Sequence, residues 1–257
     1  IVSIDILIEF YFGKNLFGFS SAYYGRIASF TGDELKIGGF YFGFIFLCLS
    51  VFFDHNKRLF IILTAVFLVI ALLIGERSNF LKIFIMYLFF YIFYFNISYL
   101  KKIFFLFSIT LISLIIVYNI PLLKSKFYNQ IFNQFIIAQS NNNDLNLQKL
   151  IKENQHLSQY NIAVSMIREN PIFGIGFKNY RNESFKEKYT KNKIKVGGST
   201  HPHQLHFEIL SELGIIGYLL IISNLIYIIT RKFKPNENSL YVYGKIFIIV
   251  SLIPILP

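Results

Sequence analysis

The chain has 257 residues, of which 54% are hydrophobic and only 15% charged, with a mean hydropathy of +0.53. A soluble domain usually carries about 25% charged residues, so this balance excludes an ordinary soluble enzyme and points to a membrane protein. The net charge of +11 is read as an attraction to phosphates or anionic lipid rather than nucleic acid. Because Ile, Phe, Tyr, Asn and Lys are all abundant, as an A+T-rich coding sequence would make them, only the placement of charge is informative.

In chain order, an apolar tail at 1–10 is succeeded by apolar segments at about 37–53, 59–74, 80–95, 103–120, 213–229 and 241–257. Hydrocarbon about 30 Å thick asks for roughly 20 apolar residues in a helix, with about 17 as the lower limit. Such segments must be helices, because lipid offers no partner for backbone N–H and C=O groups. The expected fold is therefore all-α, a polytopic transmembrane helical bundle. Ile1 and Pro257 both lie inside apolar stretches, and no signal peptide is in view,. Both ends read as cuts, so the chain is expected to be a fragment lacking N-terminal and C-terminal spans. The lone Cys48 is expected to be a buried hydrophobe. With no Trp in the chain, the interfacial aromatics would be tyrosines such as Tyr99, Tyr118 and Tyr218,.

Three regions are expected: transmembrane helices with outward Arg-containing loops over 1–120, a large, partly helical loop over 121–204, and further spans over 205–257. Lys57 and Arg58, Lys101 and Lys102, and Arg231, Lys232 and Lys234 come after alternate spans. Alternation puts these loops on one side, and the excess of Lys and Arg makes that side cytoplasmic. The connections 11–36, 75–79 and 121–204 then face outward. The long loop carries twelve Lys/Arg against five Asp/Glu, but long loops weigh little in orientation. It contains an Asn/Ser linker at 140–143, then a helix predicted from Leu145 to Glu169 by an imperfect apolar stripe. That helix should end before Asn170-Pro171, since the residue preceding Pro avoids the α region. A Gly-rich turn, Phe173-Gly174-Ile175-Gly176-Phe177, and a Lys-rich stretch over 186–195 come next. No internal repeat is evident.

Three motifs can carry chemistry. Arg26, in a Gly- and acid-containing loop running to Glu34, is weak alone, because a turn with a solvated charge is the commoner explanation. Gly75-Glu76-Arg77-Ser78-Asn79 places ionisable residues between two apolar spans, which marks a functional site by default. The Arg77 fork suits phosphate oxygens, although snorkelling or a local pair with Glu76 explains the spacing equally well. The third motif is sharpest: His201-Pro202-His203-Gln204, then nine residues, then Gly214-Ile215-Ile216-Gly217. A helix starting near Thr200–Pro202 would align His203, His206, Phe207, Leu210, Gly214 and Gly217 near one face. Its glycines would let a neighbouring helix pack closely. Zinc held by His201, His203 and His206 lacks supporting cysteines, so no metal is expected.

The segments Asn170-Pro171-Ile172-Phe173-Gly174-Ile175-Gly176 and His201 to Gly217 resemble the carboxy-terminal signature of the O-antigen ligase and O-antigen polymerase (Wzy-type) family. Gly75-Glu76-Arg77-Ser78 resembles its Arg-Ser element, and Arg26 to Glu34 its earlier Arg-containing loop; the resemblance covers about 20–230. It implies a multi-span, GT-C-like, inverting and metal-independent glycosyltransferase of the bacterial inner membrane, without a cofactor. Its donor would be an undecaprenyl-pyrophosphate-linked oligosaccharide on the periplasmic side, and its acceptor a glycan or lipid A-core. Arg26 and Arg77 would hold the pyrophosphate leaving group, and His203 would activate or position the acceptor hydroxyl. Gln204 and His201 would contact substrate, while Pro171, Gly174, Gly176, Gly214 and Gly217 would be structural. A transporter for a lipid-linked or anionic substrate would also want outward cations, but predicts repeats and broken helices near the bilayer midplane. A scaffold with a basic loop on anionic lipid explains the charge, not the His-Gln-x9-Gly-x-x-Gly spacing.

Overall fold

The computed structural model describes residues 1–21, 23, 25–34, 36–94, 98–129, 155–190, 198–231 and 239–254. Among these the chain is helical, with short turns and no strand. Helix α1 (Val2–Phe12) closes on left-handed Gly13, whose N–H donates to the Glu9 carbonyl at 2.8 Å. This is the usual glycine stop, since glycine adopts φ > 0 without a Cβ penalty. Helices α2 (Ile37–His55) and α3 (Lys57–Leu73) share one hinge residue, Asn56. It ends α2, and its side chain then caps α3 by accepting the N–H groups of Arg58 and Leu59,. Helices α4 (Arg77–Tyr94) and α5 (Tyr99–Asn119) come next. Pro121 opens the short α6 (Pro121–Lys124), which runs on into a wider turn over Ser125–Asn129.

Helix α7 (Gln155–Glu169) ends where Asn170-Pro171 was expected to end it; the predicted portion 145–154 lies outside the described residues, as do the linker at 140–143 and the 191–195 part of the Lys-rich stretch. Two single turns, α8 (Tyr180–Glu183) and α9 (Glu187–Thr190), precede α10 (Leu205–Thr230) and α11 (Ser239–Leu252). Each apolar segment of the sequence thus overlaps a helix among the described residues, although the last, expected to reach 257, is helical only to Leu252. Two, α5 and α10, are long and apolar enough to cross a membrane, while Ile37–Phe53 and Leu240–Leu252 are shorter apolar helices. In α5 no residue is buried, and Phe104, Phe107, Leu111 and Leu114 all stand exposed. An apolar surface that extensive requires a non-aqueous neighbour.

The chain folds as two compact units, 1–132 with 233–250, and 133–232 with 251–257. In the first, aromatic side chains from α2, α3, α4 and α11 form the core: Phe90 stacks on Tyr243 at 4.4 Å and meets Phe53 edge-on at 4.8 Å. In the second, Ile162, Ala163 and Met166 of α7 pack with Tyr180 and Tyr189. Cys48 departs from its expected burial and is exposed. It lies on the same outer face of α2 as Phe44, Leu47 and Val51, which are also exposed, because the opposite face supplies the core residues Phe42, Ile45, Phe46 and Leu49.

Candidate functional site

In the first unit, Arg26 and Arg77 are brought together by two glycine turns. The Ile27 N–H donates to the Ile74 carbonyl at 3.1 Å, joining the loop after α1 to the α3–α4 connection. Gly25 and Gly75 both have positive φ, 75° and 79°. A Cβ at Gly75 would overlap the Gly25 carbonyl, so the two loops touch only because position 75 is glycine,. Arg26 is exposed and Arg77, the first residue of α4, is half-buried.

The Arg26 loop is clamped from α1. Asp5 and Glu9 lie one turn apart, both buried, on the same face,. The Glu9 carboxylate accepts the N–H groups of Ala28 (3.0 Å) and Ser29 (2.5 Å). The Ser29 hydroxyl donates to Asp5, and the Ser29 carbonyl accepts the Asn15 side-chain amide at 2.7 Å. Every polar group of Ser29 is therefore held, which accounts for its left-handed backbone (φ 47°). Such a conformation costs about 1–3 kcal/mol and persists only where the surroundings over-determine it.

Glu76 is buried against Gly38 of α2, and its carboxylate accepts the Asn79 amide at 2.5 Å. Burial pushes the Glu76 carboxyl up; the Asn79 hydrogen bond and the charge of Arg26 pull it part of the way back,. Among the described residues the salt bridges lie elsewhere, at Lys186 and Lys188, and none reaches Arg26, Arg77 or Lys126. The local Glu76–Arg77 pair that the spacing allowed is thus not formed, because Glu76 turns inward to Asn79 and Gly38.

In the second unit, the Pro171–Gly176 turn is built into a break in α10. Gly214 has φ 64° and ψ −169°, a combination open essentially to glycine alone,. The break exposes backbone groups that the turn satisfies. Ile175 and Gly176 donate to the carbonyls of Ser211 and Glu212, each at 2.9 Å, while Ile215 donates to Pro171 (2.9 Å) and Ile216 to Ile172 (3.3 Å),. Gly174 and Gly214 face one another so closely that a Cβ on either would strike the other strand of backbone. Glu212, also buried, accepts the N–H groups of Lys178 (2.8 Å) and Tyr180 (3.2 Å), fixing the chain just beyond the turn. Gly214 therefore does not admit a neighbouring helix as expected. Gly214 receives the turn, and Gly217 lies against Leu213 of its own helix. A face argument that assumes an unbroken helix cannot anticipate this.

Helix α10 begins at Leu205, not at Thr200–Pro202. Buried Gln204 is its cap, accepting the Phe207 N–H at 2.7 Å,. His203 just before it has φ 56° and is exposed. His201, likewise exposed, lies with its ring centroid 4.1 Å from that of His203. His156 of α7 also stands edge-on to His203, at 5.2 Å. The 198–200 approach is tied down by Ser184, whose hydroxyl donates to the Ser199 carbonyl at 2.7 Å. His206 does not join this cluster. Its Nε2 meets the Leu252 carbonyl at 2.7 Å, which can only accept, so Nε2 carries the proton and Nδ1 accepts from the Tyr218 hydroxyl at 2.9 Å,. The zinc trio weighed from the sequence is therefore not assembled, and among the described residues no three His, Cys, Asp or Glu side chains gather as metal ligands.

Sequence reasoning missed four participants. Asp5 and Glu9 were legible in principle, as carboxylates four residues apart inside an apolar run. Lys126, whose aliphatic stem lies over Gly25, and His156 had no local signal, since they reach Gly25 and His203 only through tertiary contact.

The family model described as O-antigen ligase matches residues 59–222. The chain belongs to that family, whose members are membrane proteins carrying out glycan transfer of the O-antigen ligase and polymerase kind. The match takes in Arg77, the Pro171–Gly176 turn and the stretch from His201 to Gly217, and leaves Arg26 outside. No curated protein and no solved structure matches the chain.

Proposed function

We propose that this protein transfers a glycan from an undecaprenyl-pyrophosphate-linked donor at the periplasmic face of the bacterial inner membrane, by inverting, metal-independent chemistry within a multi-span bundle. The observation that carries the reading is the pairing of Arg26 with Arg77 on interlocked glycine turns, with no salt bridge to either among the described residues. Held so, two guanidinium groups suit the oxygens of a pyrophosphate. In a site without metal, fixed cations must stabilise the charge that develops as that group leaves. His203 acts as the general base, its imidazole accepting the proton of the acceptor hydroxyl. The hydroxyl oxygen then bonds to the anomeric carbon as the carbon–oxygen bond to pyrophosphate breaks on the opposite face, inverting the configuration. His201 and His156, both in ring contact with His203, support its orientation. The charge distribution over short loops supports the outward placement of the arginine loops and of His203.

For the acceptor, the likeness of Gly75-Glu76-Arg77-Ser78 to polymerase-like members supports another lipid-linked unit, hence polysaccharide polymerisation. The description of the matching family favours the second reading, ligation to lipid A-core. Transport of a lipid-linked substrate is the weaker alternative, since the candidate residues gather in loops and at helix ends. The test is the lipopolysaccharide banding pattern of cells lacking the gene and complemented with variants of the full-length protein. Arg77→Ala and His203→Ala should each lower transfer by roughly 100- to 1000-fold at normal membrane levels. Collapse to core plus one repeat means polymerase, whereas bare core with lipid-linked polymer accumulating means ligase. Near-normal surface glycan of every kind in both variants would sink the assignment.

A further inference from the structure

The arginine pair has a third cation beside it. Lys126 lies in the turn after α6, and its aliphatic stem runs over Gly25: a Cβ at that glycine would stand 2.9 Å from Cε and 3.0 Å from Cγ of Lys126. The same Cβ would stand 3.4 Å from the Leu122 carbonyl oxygen. Gly25 thus touches both the α3–α4 connection and the α6 turn, and the loops that carry Arg26, Arg77 and Lys126 meet at this glycine. Burial, and then the nearby charges of Arg26 and Arg77, lower the Lys126 pKa, so the ammonium feels both guanidinium groups,. Gly25 and Arg26 line a cavity of about 200 Å³ together with Ser20, Ser21, Tyr23 and the Glu9 carboxylate, which is already engaged by the Ala28 and Ser29 N–H groups. Three clustered like charges repel one another, and such an arrangement is relieved by a bound anion.

We infer that Lys126 is a third phosphate-contacting residue, completing with Arg26 and Arg77 one anion site for the pyrophosphate of a lipid-linked donor. The inference rests on the proposed reading of the two arginines. Its logic is charge matching. A pyrophosphate esterified at both ends carries two ionised oxygens; when the sugar carbon–oxygen bond breaks, the bonding electrons stay on the departing oxygen and a third negative charge develops. Two guanidinium groups match the bound donor. Lys126, a compact charge on a flexible stem, matches the charge that appears only as the bond breaks. A contact of that kind raises kcat more than it lowers KM.

The experiment uses the full-length protein in lipid nanodiscs with a lipid-linked donor, its acceptor, and inorganic pyrophosphate as a competing anion. Lys126→Met keeps an apolar stem on Gly25 and removes the charge, whereas Lys126→Arg keeps the charge. The expected result is a kcat lowered roughly 10- to 100-fold in Lys126→Met, the loss of one charge-assisted contact. KM should move far less, pyrophosphate inhibition should weaken, and Lys126→Arg should recover most of the rate. Equal impairment of both variants would reduce Lys126 to a packing role and overturn the inference, as would an unchanged Lys126→Met. Arg77→Ala separates the two readings. If it loses sensitivity to pyrophosphate while Lys126→Met keeps it, only the Lys126 inference falls. If both keep full sensitivity, the anion site itself falls.

Discussion

Ser29 carries the Arg26 loop in a backbone conformation it would not adopt alone, and the restraint comes from carboxylates seated in an apolar helix. Glu9 is the central one, because its two oxygens each accept a backbone N–H. Glu9→Gln would leave one oxygen to accept and turn an amide donor toward the other N–H. Leaving a buried donor unsatisfied costs about 1–3 kcal/mol. The amides of Ala28 and Ser29 should therefore exchange with deuterium roughly 5- to 150-fold faster in that variant, and Arg26-dependent transfer should fall with them. Unchanged exchange at both amides would show that Asp5 and Asn15 hold the loop without Glu9. Arg77 stood out in the sequence, because a guanidinium between apolar spans is costly unless used, whereas Arg26 was weak alone. Their clamp was legible only in part. Asp5 and Glu9 stand out by their spacing, but nothing local says that the groups they accept belong to a loop some twenty residues on.

Among the elements, α10 shows where pattern reading stops. The run from Leu213 is largely apolar, so the existence and type of α10 were plain, and α2 to α5 were plain for the same reason. The break at Gly214 was not, because a glycine in an apolar helix is equally consistent with close helix packing. What decides it is the Pro171–Gly176 turn, distant in sequence, which supplies donors and acceptors to the broken ladder. The two segments that carry the family likeness are thus one structural device. Gly214→Ala should disable it: the backbone conformation alone costs about 1–3 kcal/mol for a residue with a Cβ, and that Cβ would strike the Ile172 carbonyl. Gly39→Ala is the matched control. Gly39 lies in α2 with nothing within 4 Å of a built Cβ, and the change should leave stability equal or raise it by up to about 1 kcal/mol. Thermal unfolding of the full-length protein in detergent distinguishes them. Equal midpoints for Gly214→Ala and wild type would mean that the turn docks without needing the break.

At the scale of the whole molecule, the reading depends on which side of the membrane each loop occupies. The composition announces a membrane protein, but orientation rests on short-loop charge alone, and the arginine loops did not enter that argument. The chain offers a clean test, since Cys48 is its single cysteine. In a Cys48→Ser background, Lys57→Cys marks the turn between α2 and α3, and Asn182→Cys marks α8 in the long loop; both positions are exposed. A membrane-impermeant maleimide applied to spheroplasts should label Asn182→Cys and spare Lys57→Cys until the membrane is lysed. The reverse pattern would place Arg26, Arg77 and the histidine cluster on the cytoplasmic side. Donor glycan is assumed to wait on the periplasmic side, so that outcome would remove the proposed substrate even if every residue contact stood. Labelling of both before lysis would mean that the basic turns do not alternate with the arginine loops, and the spans would have to be counted again from the protein rather than from its charges.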